Sequence, residues 1–362
     1  MIQIIIVAVK TLNLKIYYFV IYSTLNELLF VMPWQHDNFM YITPLSTNAV
    51  LLASISRNCY RFNMAKNSEN MRGAALMTGS MVGFTVNDAF MKALSSDIPL
   101  FQALLLRGLG TVVFLVVLAI LRKQFRFDFK SKDWVLIVLR CLAEVMGTVF
   151  FLTALFHMPI ANVTAVLQAL PLTVALAGAV FLREPVGWRR LLAILVGLVG
   201  VVLIVRPGGD GFTVYSVYAL GAVACITLRD LVVRRMSHDI PSIIVGLMAA
   251  IAVTLAGAVV TVTQPWVPVG GVTALKLVGA MVFIIFGYIF SVAAMRVGEI
   301  GFVSPFRYSG LLAALVLGWL IFGEWPVPLT LLGATIVVVT GLFTIYRERK
   351  HKLKKESSEL LY

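Results

Sequence analysis

From Met71 onward the chain strings together ten apolar runs, each about as long as the hydrocarbon core of a bilayer demands of a helix, with breaks between them. They fall near 73–94, 100–121, 134–156, 160–182, 188–205, 213–233, 241–263, 273–295, 301–322 and 327–346. In hydrocarbon every backbone donor and acceptor must be satisfied inside the protein. Runs that are continuously apolar, without the alternation of a barrel strand, meet that demand as helices. The pattern predicts an all-α polytopic membrane protein of ten transmembrane helices, with consecutive helices antiparallel because most connections are short. Composition agrees: 60% of residues are AVILMFWYC and only 13% are charged, against about 25% charged in soluble domains. A water-facing fold lacks the polar surface it would need.

Residues 1–70 have a different texture. The stretch from Ile16 to Met32 is a marginal span because Glu27 and polar neighbours interrupt it, and little periodicity follows Pro33. Met64 and Met71 stand just before the first convincing run. The segment is expected to be an N-terminal extension arising from a mis-called start site; an eleventh helix is the rival reading. A native peptide from within 1–60 would rule out the first.

The net charge of +13 would suggest nucleic acid in a soluble protein, but its placement carries another meaning. Alternate connections hold Arg122, Lys123, Arg126, Lys130 and Lys132, then Arg183, Arg189 and Arg190, then Arg229, Arg234 and Arg235, then Arg296, then the basic tail 347–362. The intervening set (SSDIP, HMPI, RPGGDGFT, QPWVPVGGV, GEWPV) contains only Arg206 among basic residues. The positive-inside rule puts both ends of the ten-helix unit in the cytoplasm. The charge is a topology signal, and no nucleic-acid partner is expected.

The chain also repeats itself. Ser95-Ser96-Asp97-Ile98-Pro99 recurs as Ser237-His238-Asp239-Ile240-Pro241, an offset of 142, at which Gly79, Asp88 and Lys92 map onto Gly221, Asp230 and Arg234. Further on the offset is 140: Gly147 and Phe150 map onto Gly287 and Phe290, Val163-Thr164 onto Val303-Ser304, and Glu184 onto Glu324. The expected domains are an extension 1–70, a first repeat 71–206, a second repeat 207–346 and a cytoplasmic tail 347–362. Five helices per repeat is an odd number, so the second copy enters the membrane inverted. Inverted repeats are the architecture of secondary transporters, whose halves exchange shapes about a midplane site.

Ionisable side chains inside spans cost about 2.5 kcal/mol or more each, so each needs a partner or a role. Asp88 and Lys92 lie one turn apart and can pair on one face. With Asp230 and Arg234 they form equivalent pairs at opposite mouths, read as structural bridges or as gating and coupling groups. Arg107 lies about 12 Å into its helix, and Glu144 reaches a similar level from the other side, with Arg140 one turn before it. Arg107 is expected to face Glu144 or a polar cavity. Glu144 and Asp88 are the candidates to carry a coupling proton. Gln168 aligns with Tyr308 at offset 140, which places Gln168 with Pro171, and Arg307 with Tyr308, near the central axis. Proline within a span frees a carbonyl, tolerated where it lines a cavity.

Ten helices, two five-helix repeats and the helix end Phe181-Leu-Arg-Glu184-Pro185 leading into Trp188 resemble the drug/metabolite transporter superfamily, EamA branch, over about 71–347. The segments Phe84-Thr-Val-Asn87-Asp88-Ala-Phe-Met-Lys92 and Ser304-Pro305-Phe306-Arg307-Tyr308 are similar to the subgroup containing the RibN-type riboflavin importers. The second is also similar to S-adenosylmethionine uptake carriers. The resemblance implies a secondary carrier for a small metabolite in a bacterial inner membrane, working by alternating access. Riboflavin uptake is the leading substrate, with S-adenosylmethionine uptake or export of another metabolite as alternatives; a non-transporting membrane enzyme or scaffold is the competing class. On that reading Phe84, Tyr288, Phe306 and Tyr308 stack on a flat ring, and Asn87, Thr164 and Gln168 bond to a polyol chain, with Arg107 and Arg307 alongside. Plain packing is the alternative use of each aromatic.

The remaining motifs speak against chemistry. Cys59, Cys141 and Cys225 have no metal or redox spacing. The four histidines (36, 157, 238 and 351) stand in no catalytic arrangement, and no Walker loop, HExxH or GxSxG occurs. No cofactor, metal or catalytic residue is expected. The partners are the substrate and the lipid bilayer. Gly79-x-x-x-Gly83 is read as packing within the fold in preference to a dimer contact, with a homodimer left open.

Overall fold

The computed structural model describes residues 45–359, apart from 126–128, 184–185, 208–211, 238–239 and 298–299. Expectations that fall on residues 1–44, on Arg126, on Glu184 and on His238 lie outside the described residues. Among the described residues every regular element is a helix, and residues 70–351 form one compact body.

The helices are α1 (Leu45–Ala93), α2 (Leu100–Leu121), α3 (Ser131–His157), α4 (Ile160–Leu167), α5 (Leu170–Phe181), α6 (Trp188–Val205), α7 (Val214–Arg235), α8 (Ser242–Val262), α9 (Gly271–Val297), α10 (Ile300–Val303), a 3-10 turn Ser304–Tyr308, α11 (Ser309–Phe322) and α12 (Pro328–Glu359). Nine candidate membrane spans are long and apolar enough to cross a bilayer among the described residues; α4 with α5 makes one of them, and the 3-10 turn with α11 another. The chain is an all-α polytopic membrane protein.

The first expected span, 73–94, is the C-terminal part of the 49-residue α1 and is not among the nine. Its polar residues explain the difference, because they serve the protein interior. Ser80 donates to the Gly287 carbonyl at 2.7 Å and Thr85 to the Gly310 carbonyl at 3.4 Å, and Asn87 is buried. Hydropathy cannot separate a polar residue facing a neighbouring helix from one facing water.

Elsewhere the outer faces are the apolar ones. On α6, Leu192, Leu195, Val199 and Val202 are exposed at helical spacing while Ile194, Val201 and Ile204 are buried. Small residues line the inward face of α6. A Cβ on Gly200 would lie 2.9 Å from the Gly333 carbonyl, so α6 and α12 pack almost backbone to backbone.

Residues matched by the recurrence in the sequence make matched contacts. A Cβ on Gly79 of α1 would lie 2.8 Å from the Phe290 ring of α9, and one on Gly221 of α7 would lie 2.9 Å from the Phe150 ring of α3. Gly79 and Gly221 are repeat equivalents, as are Phe150 and Phe290. Helix α1 thus sits on α9 as α7 sits on α3.

Candidate functional site

Two spans are interrupted at equivalent positions. Between α4 and α5 the chain tightens through Gln168 and Ala169, with Ala169 N–H bonded to Val166 O at 3.1 Å. Pro171 has no N–H to return to the Leu167 carbonyl four residues back. In the second repeat the 3-10 turn Ser304–Tyr308, with Pro305 at its start, opens into α11. Gln168 and Tyr308, matched in the sequence repeat, stand at these two breaks. Interrupted helices are how membrane carriers present backbone and side-chain polar groups at mid-depth.

The charged residues of the spans form two groups, and neither has the pairing expected from the sequence. In the first group, Arg107 of α2 does not meet Glu144. Its Nη1 donates to Asn87 Oδ1 at 3.3 Å, and Asn87 Nδ2 donates to Asp88 Oδ1 at 2.9 Å. Asn87 therefore stands between the cation and the carboxylate. Asn87 and Arg107 are buried, and Asp88 is partly accessible.

In the second group, Arg229 of α7 holds Asp230 at 2.8 Å through Nη2 and at 2.9 Å through Nε, and reaches Glu144 of α3 at 3.4 Å. Arg140 stands 3.6 Å from Glu144 and donates to the Val245 carbonyl of α8 at 3.2 Å. Arg229 took no part in the sequence-derived site. Its depth, six residues from the end of α7 and so about 9 Å inside it, was the signal that marked it.

Tyr288 of α9 lies within electrostatic reach of Arg107, Arg140, Glu144 and Arg229, so it faces both groups. Its ring meets Phe84 edge-on at 5.4 Å, yet 42% of the residue is exposed. The ring is thus close to charges from three other helices and is still accessible. Arg307 feels Asp230 and Arg229, is exposed, and makes no hydrogen bond or ion pair among the described residues. Phe306 packs on the cluster of Met77, Ala294 and Val303. Tyr308 is buried, and its hydroxyl has no hydrogen-bond partner among the described residues; it lies where a Cβ on Gly341 would be. Gln168 also makes no side-chain hydrogen bond among the described residues.

Lys92 does not pair with Asp88. It bridges to Glu324 at 2.7 Å and donates to the Met158 carbonyl, and its Nζ lies 5.2 Å from the centre of the Phe322 ring. Glu324 in turn accepts from the Ile160 N–H at 3.1 Å, which caps the N-terminus of α4, where negative charge is favoured. Beside this latch Lys276 pairs with Asp97 at 2.7 Å, and Gln102 exchanges two bonds with Val267, at 2.7 and 3.1 Å. The hydrogen bond from Lys276 holds the Asp97 carboxyl below the usual carboxylate range; desolvation opposes it, and Ser96 and Thr273 reinforce it. These contacts tie together the mouth that carries the SSDIP and GEWPV connections. At the opposite mouth Ser237 N–H donates to Asp133 at 3.2 Å and Arg235 to the Phe181 carbonyl at 3.1 Å.

A groove of about 590 Å³ lies along α11, lined by Leu312, Leu315, Val316, Trp319 and Trp325. It has no polar side chain to orient a metabolite, so the candidate site is the space between the two charged groups and the two helix breaks. No cluster of His, Cys, Asp or Glu suited to a metal occurs among the described residues.

Residues 71–206 match the EamA-like transporter family. The chain is 30% identical over 222 residues to the riboflavin transporter of Vibrio cholerae, covering 61% of this chain and 74% of that protein. The chain belongs to the EamA-like transporter family. Other members of the family are similar over more of its length. The S-adenosylmethionine uptake transporter of Rickettsia felis is 25% identical, covering 77% of this chain and 94% of that one. The pseudopaline exporter of Pseudomonas aeruginosa is 24% identical over 74% and 93%. As an EamA-like protein the chain is a membrane transporter for a small molecule and not an enzyme.

Proposed function

We propose that the chain is a secondary carrier of the bacterial inner membrane that takes up riboflavin by alternating access. The observation that carries the reading is the pair of interrupted spans at the repeat-equivalent residues Gln168 and Tyr308. They border a space onto which Tyr288 and the two charged groups face. In this reading the flat ring of the substrate stacks against Tyr288 and Phe84, and Asn87, Gln168, Arg107 and Arg307 supply hydrogen bonds to its acceptors and hydroxyls. Phe306 and Tyr308 hold the turn that presents Arg307. The likeness to the Vibrio cholerae riboflavin transporter supports the substrate.

With repeats 71–206 and 207–346 inverted and both ends cytoplasmic, as the loop charges indicate, the latched mouth of Lys92 and Glu324 faces away from the cytoplasm. The test is uptake of labelled riboflavin by a bacterium that can neither make nor import it, expressing the full chain. Saturable uptake in the micromolar range, lowered about tenfold or more by Arg307→Ala, is expected. No uptake despite confirmed insertion would remove riboflavin. A second reading, S-adenosylmethionine uptake, is favoured by the wider coverage of that relative, and labelled S-adenosylmethionine in the same assay separates the two.

A further inference from the structure

Three carboxylates sit in the charged groups of the spans, and two of them have their charge compensated. Glu144 lies between Arg140 and Arg229, and Asp230 takes two bonds from Arg229. Asp88 differs. Its hydrogen bond comes from a neutral amide, Asn87 Nδ2. The cation one turn along its own helix, Lys92, is engaged by Glu324. The cation that faces it from α2, Arg107, acts on Asp88 through its charge but gives its hydrogen bond to the other end of the same amide, so no ion pair with Asp88 is closed, and Tyr288 of α9 lies near Arg107. The repeat makes the contrast sharper. Asp88 and Asp230 are equivalent, but the residue before each is Asn87 in one copy and Arg229 in the other.

A carboxylate inside a span whose nearest cation is held off by an amide is costly, and that cost can be relieved either by a proton or by a direct contact with Arg107. We propose that Asp88 is the proton-binding group of the carrier and that Arg107 and the proton compete for it, with Asn87 holding the two apart in the present state. The proposal rests on the transporter reading of the site. A proton from one side forms an O–H bond on the Asp88 carboxylate and leaves to water on the other side. The carboxylate that remains can be met by Arg107 in place of Asn87. One proton moves per cycle, so with a neutral substrate one positive charge crosses the membrane.

The proton site is read directly, without a transport substrate, by infrared spectroscopy of the full chain in lipid vesicles as pH is stepped. A carboxyl band that titrates in the wild type, is absent in Asp88→Asn, persists in Asp88→Glu and is unchanged in Asp230→Asn is expected. A band that survives in Asp88→Asn, or no titrating band in the wild type, overturns the proposal. In the same vesicles, an imposed pH difference should drive accumulation of labelled riboflavin by up to about tenfold per unit. Asp88→Asn should lose accumulation; accumulation by this variant also overturns the proposal. Failure of counterflow in the wild type would refute riboflavin as substrate and leave the infrared result to decide on Asp88.

Discussion

Lys92 Nζ lies 2.7 Å from Glu324 Oε1, across 232 positions of sequence, while Asp88, one turn behind Lys92 on its own helix, is left to Asn87. The Lys92 and Glu324 side chains are 10% and 25% exposed. Removing one member of such a pair strands the other, at about 3–5 kcal/mol, whereas replacing both by apolar residues of similar volume is close to neutral. Lys92→Met and Glu324→Leu should each lower the thermal midpoint of the purified protein more than the double variant does. A double variant that loses the sum of the two singles would show that the pair itself carries little coupling.

Gly341 accommodates the Tyr308 hydroxyl, and Gly270 has nothing within 4 Å of a Cβ. Gly341→Ala should destabilise by about 1–3 kcal/mol through overpacking, and Gly270→Ala should be silent. Thermal unfolding of both proteins checks this. Because Tyr308 follows Arg307 in the 3-10 turn, Gly341→Ala should also raise the KM for the transported substrate.

The matched contacts of Gly79 with Phe290 and of Gly221 with Phe150 predict matched penalties. Gly79→Val and Gly221→Val should each cost about 1–3 kcal/mol, and the two values should agree within about 1 kcal/mol. A large effect in one repeat alone would mean that the second contact is loose.

Asp97, outside the spans, has its carboxyl held low by Lys276. A group whose folded-state pKa is depressed contributes stability that is present above the unfolded value, about 3.9, and lost as pH falls through the folded value. Asp97→Asn should therefore cost up to about 1 kcal/mol at neutral pH, and that difference should vanish in strong acid. Unfolding midpoints of the two proteins across pH measure it.

Spans and connections were legible because each is a property of a stretch: length and hydropathy average over many side chains. The span expected at 100–121 is α2, and that expected at 188–205 is α6. The fourth span was expected to run unbroken over 160–182 with Pro171 freeing a carbonyl, whereas the structure divides it at Gln168 and Ala169. Pairing was not legible, because it depends on which helices adjoin. The 88/92 spacing permits a bridge, but folding brings Glu324 and the Met158 carbonyl to Lys92, and they leave nothing for Asp88. Arg107 and Glu144 lie at similar depths, but α3 packs along α7, which gives Glu144 to Arg229. Arg229, counted with the loop charges, lies inside α7 because the helix runs on to Arg235.

The twin seats of Phe150 and Phe290 bear on direction. On the proposed alternating-access cycle, exchanging the conformations of the two halves would carry each ring into the surroundings its counterpart has just left, so the packing enthalpy of these two seats would cancel between the two end states. What remains to separate them is confined to places where the halves differ, such as Asn87 against Arg229. A machine with such near-degenerate end states obeys microscopic reversibility without a built-in ratchet. The protein sets how fast the cycle turns, and the gradients on its two sides set which way.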